Sequence, residues 1–275
     1  MVRVKMNHLD IAMIAHSGQC FRLNRTAADA HMLIAKGKIL RITETAENQY
    51  EFDCDAADFD EIWKPYFDLN TDYDRFIKSI APQDIFLQNA AAYGSGIRIL
   101  QQDAFEMLIT FIISQRKNIP AIKKCVETLC TQFGAPISQK GDCAFAFPTA
   151  KALAAQSLES LRACALGYRA NYVRAAAVMV ESHALDLEKA EKLDDVSLYN
   201  LLQSVSGVGP KVANCVLLFG FHRIASFPQD VWINRMIDAE YGGVFPLAQY
   251  QGYAGVLQQY IFYYARSDAY AALKR

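Results

Sequence analysis

No stretch of this 275-residue chain stays apolar for the ~20 residues a helix needs to cross a bilayer. Its N-terminus lacks a basic start followed by an uninterrupted apolar segment. Asp10 and His16 flank the run Ile11 to Ala15, so secretion is not expected. The seven cysteines are odd in number, scattered, and never spaced Cys-x-x-Cys. That argues for reduced thiols in a cytosol and against a disulfide framework or a zinc site. A net positive charge is missing as well. At −1 the chain is not a protein that coats nucleic acid nonspecifically. Internal repeats and low-complexity segments are absent, which removes solenoids and disordered arrays.

What is present is ordinary globular material, 52% hydrophobic and 21% charged, long enough for one large domain or two modest ones. The charge is unevenly placed. Arg116, Lys117, Lys123 and Lys124 cluster in one stretch and Arg162, Arg169 and Arg174 in another, while acidic residues gather from Glu44 to Glu61. Such asymmetry suits a nucleic-acid-facing side and suits solvated helix faces nearly as well.

The first ninety residues differ in texture from the rest. Lys38 to Thr43 and Gln49 to Asp53 alternate apolar and polar residues around a polar turn, which predicts a β-hairpin. A further strand is expected near Phe21 to Leu23, and Ala27 to Ala35 reads equally as a short helix or a strand. Helices are expected from Asp58 to Ile80. The Ala- and Gly-rich stretch Asn89 to Gly96 reads as a linker, dividing the chain into 1–93 and 94–275. Beyond it almost everything carries helical periodicity: a capping box at Asp103 and Glu106, then Ile122 to Phe133, Ala150 to Ala165, Asn171 to His183 and Tyr253 to Tyr263. The predicted architecture is α+β, a small antiparallel sheet domain joined to a helical one.

The chain is organised around Leu198 to Asp230. Leu198, Leu201, Leu202 and Val205 give one helix an apolar face. Gly207-Val208-Gly209 follows, with two glycines able to take backbone angles closed to other residues. Pro210 suits the first position of a second helix, which Val212, Cys215, Val216 and Phe219 continue. A hairpin that opens a helix presents free backbone N–H groups, a nest for phosphate. Lys211 stands in the first helical turn, facing the positive end of the helix dipole, a setting that helps a nucleophilic amine. Taken alone it reads better as a snorkelling surface lysine. Asp230, after Pro228 and Gln229, reads as the N-cap of the next helix, a role compatible with catalysis.

Gly207 to Ala213 with Pro228-Gln229-Asp230 resembles the helix-hairpin-helix DNA glycosylase superfamily, in its bifunctional glycosylase/lyase branch. Four more stretches narrow the resemblance to the 8-oxoguanine DNA glycosylase/AP lyase family: Ser17 to Arg22, Gly96 to Leu100, Gly167 to Val173, and Tyr253-Ala254-Gly255 running to Gln258 and Phe262. Their order matches the family over nearly the whole chain. The resemblance implies excision of 8-oxoguanine, and related oxidised purines, from duplex DNA in base excision repair. It implies a Lys211 nucleophile forming an imine with the sugar, β-elimination, and Asp230 stabilising the cationic sugar. Tyr168 would be the wedge in the base stack, with Arg169 at the orphaned base. Phe262 and Cys215 would sandwich the extruded purine, Gln258 would bond its Watson–Crick edge, and the Gly18 carbonyl would accept the N7 hydrogen that only the oxidised base carries. On the residues alone, Cys215 is equally a small buried hydrophobe.

No metal or redox cofactor is implied, and the four closely spaced cysteines of the iron–sulfur members are absent. The expected partner is lesion-bearing duplex DNA, with no membrane; a cytoplasmic monomer is expected, nucleoid-associated or nuclear by cell type. The rival readings are a monofunctional alkyl-purine glycosylase driven by Asp230 alone and a noncatalytic helix-hairpin-helix DNA-binding module. Two positions depart from the family's pattern. Trp232 stands where a histidine near the DNA backbone is usual. In members that insist on cytosine opposite the lesion an asparagine and an arginine stand where this chain has Arg116 and Ala121. Relaxed selection of the opposite base follows. Single-turnover excision should proceed at similar rates opposite all four bases, and a strong cytosine preference would contradict it.

Overall fold

The computed structural model describes residues 1–273. Its N-terminal sheet is antiparallel, with five strands in the order β1-β5-β4-β3-β2. These are β1 (Val2–Lys5), β2 (Leu23–Arg25), β3 (Ala30–Ala35), β4 (Lys38–Ala46) and β5 (Gln49–Phe52). Lys36 and Gly37 both have positive φ, 53° and 71°, as a two-residue hairpin turn of the primed type requires. That turn sets the register pairing Leu33 with Leu40. Leu23, Leu33, Leu40, Ile42 and Phe52 then bury themselves against Ile11 and Ile14 of α1 (Ile11–His16) and against Trp63 and Phe67. The ambiguous stretch from Ala27 contains β3, because strands on both sides pair with it and tertiary pairing overrides local propensity.

The helices that build the second core are α2 (Ile85–Gly94), α3 (Ala104–Ser114), α4 (Ile119–Phe133), α5 (Arg169–Glu181), α6 (Asp195–Gln203), α7 (Pro210–Gly220), α8 (Val231–Tyr241) and α9 (Ala254–Ala265). Helix α3 is central: every residue from Met107 to Ser114 is buried. Its N-terminus is half of the expected capping box, with the Asp103 carboxylate accepting from the Glu106 N–H at 2.8 Å.

Two expectations are corrected. The Ala/Gly stretch from Asn89 is not a linker, since α2 runs through Gly94. Its small residues are a contact surface: a Cβ on Gly94 would lie 3.3 Å from the Cα of Tyr260 in α9. Tyr73 to Ile99 accordingly contributes to the helical core. Nor is everything beyond it helical. A hairpin of β6 (Pro136–Gln139) and β7 (Asp142–Phe145) returns to the first sheet. There Arg41 pairs with Asp142, and the Ile39 N–H donates to Gln139 Oε1 at 3.1 Å. Ala150 to Ala165 is helical but in pieces, Ala150–Ala154, Leu158–Leu161 and a π-helical segment from Arg162, with Ala165 at φ 58°.

The two cores meet along the extended segment 96–102. Ile97 and Ile99 point into the helical core and Leu100 into the sheet core, the alternation of extended backbone. Arg98, almost wholly buried, donates to the carbonyls of His8, Asp68 and Thr71 and lies 4.1 Å from the centroid of the Tyr73 ring.

Near this seam Glu106 faces Arg22, Asp103, Glu127 and Lys36, and burial pushes its carboxyl up to about 7, opposed by Arg22. The folded state thus holds a proton that the unfolded chain, titrating near 4.5, has lost. Stability from this group is greatest below that value and falls as pH rises towards 7. Replacing Glu106 by Gln should abolish this loss. Urea denaturation at about pH 5 and about pH 7 should show wild type losing roughly 1–3 kcal/mol more than the variant. Equal losses would refute the assignment.

Candidate active site

Helix α6 is capped by Asp194, whose carboxylate accepts from the Val196 and Ser197 N–H groups, and it buries Leu198 and Leu202. The turn after it needs a glycine at one place. Gly207 has φ +85°, and a Cβ there would sit 2.4 Å from the Tyr172 ring. Gly209, expected to share that freedom, is extended at φ −96° and caps α7 without a side chain. A Cβ on Gly209 would meet nothing within 4 Å. The space before the first turn of α7 is therefore open, and the Lys211 and Val212 N–H groups have no intrahelical acceptor. Val208 packs into the core beneath. The Gly207 carbonyl accepts from Gln115 Nε2 at 3.0 Å, tying the hairpin to the end of α3.

Lys211 is half-buried, its Nζ 5.1 Å from the centroid of the Phe111 ring. Phe111 in turn stacks on Phe219 at 5.4 Å and meets Phe21 edge-on. An ammonium over an aromatic face is held electrostatically while its water is displaced. One turn on, Cys215 is buried; burial pushes its thiol pKa up, and the nearby Lys211 opposes that. Asp230 is the N-cap of α8, one carboxylate oxygen accepting from the Ile233 N–H at 2.9 Å. The backbone leading to it is held from α9, where Gln258 Nε2 donates to the Pro228 carbonyl at 3.0 Å.

Lys211 and Asp230 open on one cavity of about 680 Å³ together with Gly18, Phe262, Arg116 and Trp232. Gly18 has φ +79°, and a Cβ on it would stand 3.2 Å from both Phe262 and Ile119. Larger residues would be strained in backbone and crowded in space. Behind Phe262, the Arg266 guanidinium lies 4.9 Å from the ring centroid, and Arg235 lies 5.5 Å from that of Trp232. Cys215 and Gln258 do not line this cavity; they lie buried beneath its wall. A second cavity of about 930 Å³ shares Lys211, Gln229 and Asn234 with the first.

Tyr168 is half exposed and Arg169 is not. The Arg169 guanidinium donates to the carbonyls of Gln115 and Leu166 and covers the Tyr168 ring at 4.4 Å. Gln115 thus connects this pair to the hairpin. Sequence reasoning missed it, and no local signal could have found it. Arg266 was also missed, although it follows Phe262 by four residues, one helical turn on the same face. Among the described residues no cluster of His, Cys, Asp or Glu could hold a metal ion. Within the same residues no helix is long and apolar enough to cross a membrane.

A helix-hairpin-helix that places a lysine and an aspartate on one cavity, behind an antiparallel sheet domain, is the architecture of base-excision DNA repair. Residues 1–108 match the 8-oxoguanine DNA glycosylase N-terminal domain, and residues 109–242 match the HhH-GPD superfamily of base excision DNA repair proteins. The probable N-glycosylase/DNA lyase of Methanothermobacter thermautotrophicus is 30% identical over 229 residues, covering 73% of this chain and 72% of that one. A structure of MBOgg1 in complex with a low-affinity DNA ligand has a TM-score of 0.91 and 34% identity, covering 97% and 96% of the two chains. The 8-oxoguanine glycosylase/lyase of Clostridium acetobutylicum, in complex with double-stranded DNA containing cytosine opposite 8-oxoG, has a TM-score of 0.90 and 31% identity over 96% and 94%. The chain belongs to the 8-oxoguanine N-glycosylase/DNA lyase family.

The two hairpin glycines should separate stability from DNA binding. Gly207→Ala forces an L-residue into the left-handed region against Tyr172 and should cost roughly 2–4 kcal/mol in thermal or urea unfolding. Gly209→Ala should cost about 1 kcal/mol or less, yet weaken duplex binding if the open space before α7 receives a phosphate. The reverse ordering in stability would overturn the geometry.

Proposed function

We propose that this N-glycosylase/DNA lyase acts through Lys211 as nucleophile and Asp230 as electrostatic partner on an 8-oxoguanine extruded into the 680 Å³ cavity. The observation that carries the reading is the convergence of Lys211, Asp230, Gly18 and Phe262 on that one cavity. A base inside a duplex is out of reach, so the nucleotide swings out, and Tyr168, exposed beside Arg169, fills the gap it leaves. Phe262 offers the extruded ring a stacking face. The Gly18 carbonyl accepts the N7–H of 8-oxoguanine; guanine sets a lone pair against it and leaves two acceptors unsatisfied in a closed pocket.

The neutral Lys211 amine attacks C1′ as the N-glycosidic bond breaks, and the base departs with the bonding electrons and takes up a proton. Asp230 stabilises the positive charge that develops on the sugar. Ring opening gives an imine between Lys211 and C1′. Loss of a C2′ proton then expels the 3′ phosphate, which nicks the strand, and water releases the lysine. The open N-terminus of α7 holds the backbone phosphates meanwhile. The protein works as a monomer on duplex DNA, needs no cofactor or iron–sulfur cluster, and resides where the cell keeps its DNA.

Borohydride trapping on a duplex with one 8-oxoguanine tests the reading. Wild type should give a covalent protein–DNA adduct, and Lys211→Gln should give none. Excision without an adduct would instead assign the protein to monofunctional, Asp230-driven catalysis. Absence of both excision and adduct would refute the substrate.

A further inference from the structure

The loop that carries Gly18 runs between α1 and β2, yet residues outside both hold it. From within the loop the Gln19 side chain, wholly buried, donates to the Arg98 carbonyl at 2.9 Å and accepts from the Leu100 N–H at 2.9 Å. That fastens one face of the loop to the seam between the cores. The other face meets α4. There Ile119 packs where a Gly18 Cβ would be, and one turn further the ammonium of Lys123 reaches over. Its Nζ donates to the Leu23 carbonyl at 2.9 Å, to Asn24 Oδ1 at 3.0 Å and, more distantly, to the Ala15 carbonyl at 3.5 Å. Ala15 lies before the loop and Leu23 after it.

We infer that Lys123 is a positioning residue for lesion recognition, stapling both flanks of the Gly18 loop to α4 and so fixing the Gly18 carbonyl relative to Phe262. The inference rests on the reading that Gly18 meets the 8-oxoguanine edge. Burial lowers the pKa of Lys123, with Cys20 and Glu127 opposing, so its bonds to the loop offset a real desolvation cost. An exposed cation serving only to attract DNA would be left in water, as Lys124 beside it is. Helix α4 begins just beyond the opposite-base stretch at Arg116; its Lys123 bonds on both sides of Gly18, while the Arg22–Glu127 ion pair ties only the loop's far end to the same helix.

Two substrates separate positioning from catalysis. Release of 8-oxoguanine needs the Gly18 carbonyl in place, whereas nicking a preformed abasic site needs only Lys211, Asp230 and the phosphate contacts. Lys123→Met should slow single-turnover release of 8-oxoguanine roughly 10- to 100-fold, the scale of an ångström-sized misplacement, while abasic nicking keeps the wild-type rate. Asn24→Ala, which removes one acceptor and no charge, should shift the same ratio in the same direction, and it decides the matter should Lys123→Met not fold. Lys124→Met, which removes an equal charge from an exposed neighbour, should leave the ratio alone. An unchanged ratio in the Lys123 and Asn24 variants, or an equal shift in Lys124→Met, would overturn the inference. If wild type nicks abasic duplex and never releases 8-oxoguanine, the substrate reading fails first and the inference with it.

Discussion

The buried amide of Gln19 is the joint on which the working surface depends. Its nitrogen and oxygen both serve the extended segment 97–102, to which each core contributes alternate side chains. Its own carbonyl accepts from Gln102. Each such group, unpaired, costs about 1–3 kcal/mol. The two cores are therefore locked at one relative position, and Gly18, next in sequence, is carried to the cavity of Lys211 without a helix or strand of its own.

That cavity is assembled from segments far apart in the chain. Lys211 comes from the start of α7, Asp230 from the cap of α8, Phe262 from α9 and Arg116 from the turn after α3. Each sits at or near an element's end, where backbone groups are unpaired and side chains can converge. The aromatic stack of Phe219 and Phe111 gives the half-buried lysine an electron-rich bed at the edge of the helical core. A net charge of −1 is no obstacle to binding a polyanion here. In the proposed mode the contact falls to oriented N–H groups and a few placed cations, whose fields act locally, rather than to overall charge.

Some expectations failed for instructive reasons. Ala90, Ala91 and Gly94 read as linker because they carry no large apolar side chain to mark a helical face, yet small residues are also what lets α2 approach α9 at the distance of backbone contact. The hairpin β6–β7 went unseen because its four-residue strands are half polar, and what holds them is the ion pair and amide contact with β4.

Much was decided by the chain itself. The apolar spacing of α6 and α7, the glycine turn with Pro210 behind it, the cap at Asp230 and the alternation of β4 and β5 are local matters of sterics and hydrogen bonding, readable within a few residues. The ordered motifs from Ser17 to Phe262 were enough to reach the family. Which residues share a cavity was decided only by the tertiary structure. Gln115 joining the hairpin to Arg169 and Lys123 spanning the Gly18 loop are contacts across 54 to 108 positions of sequence. Nothing local specifies them, because such pairs form only after packing has removed water and left each polar group one partner within reach.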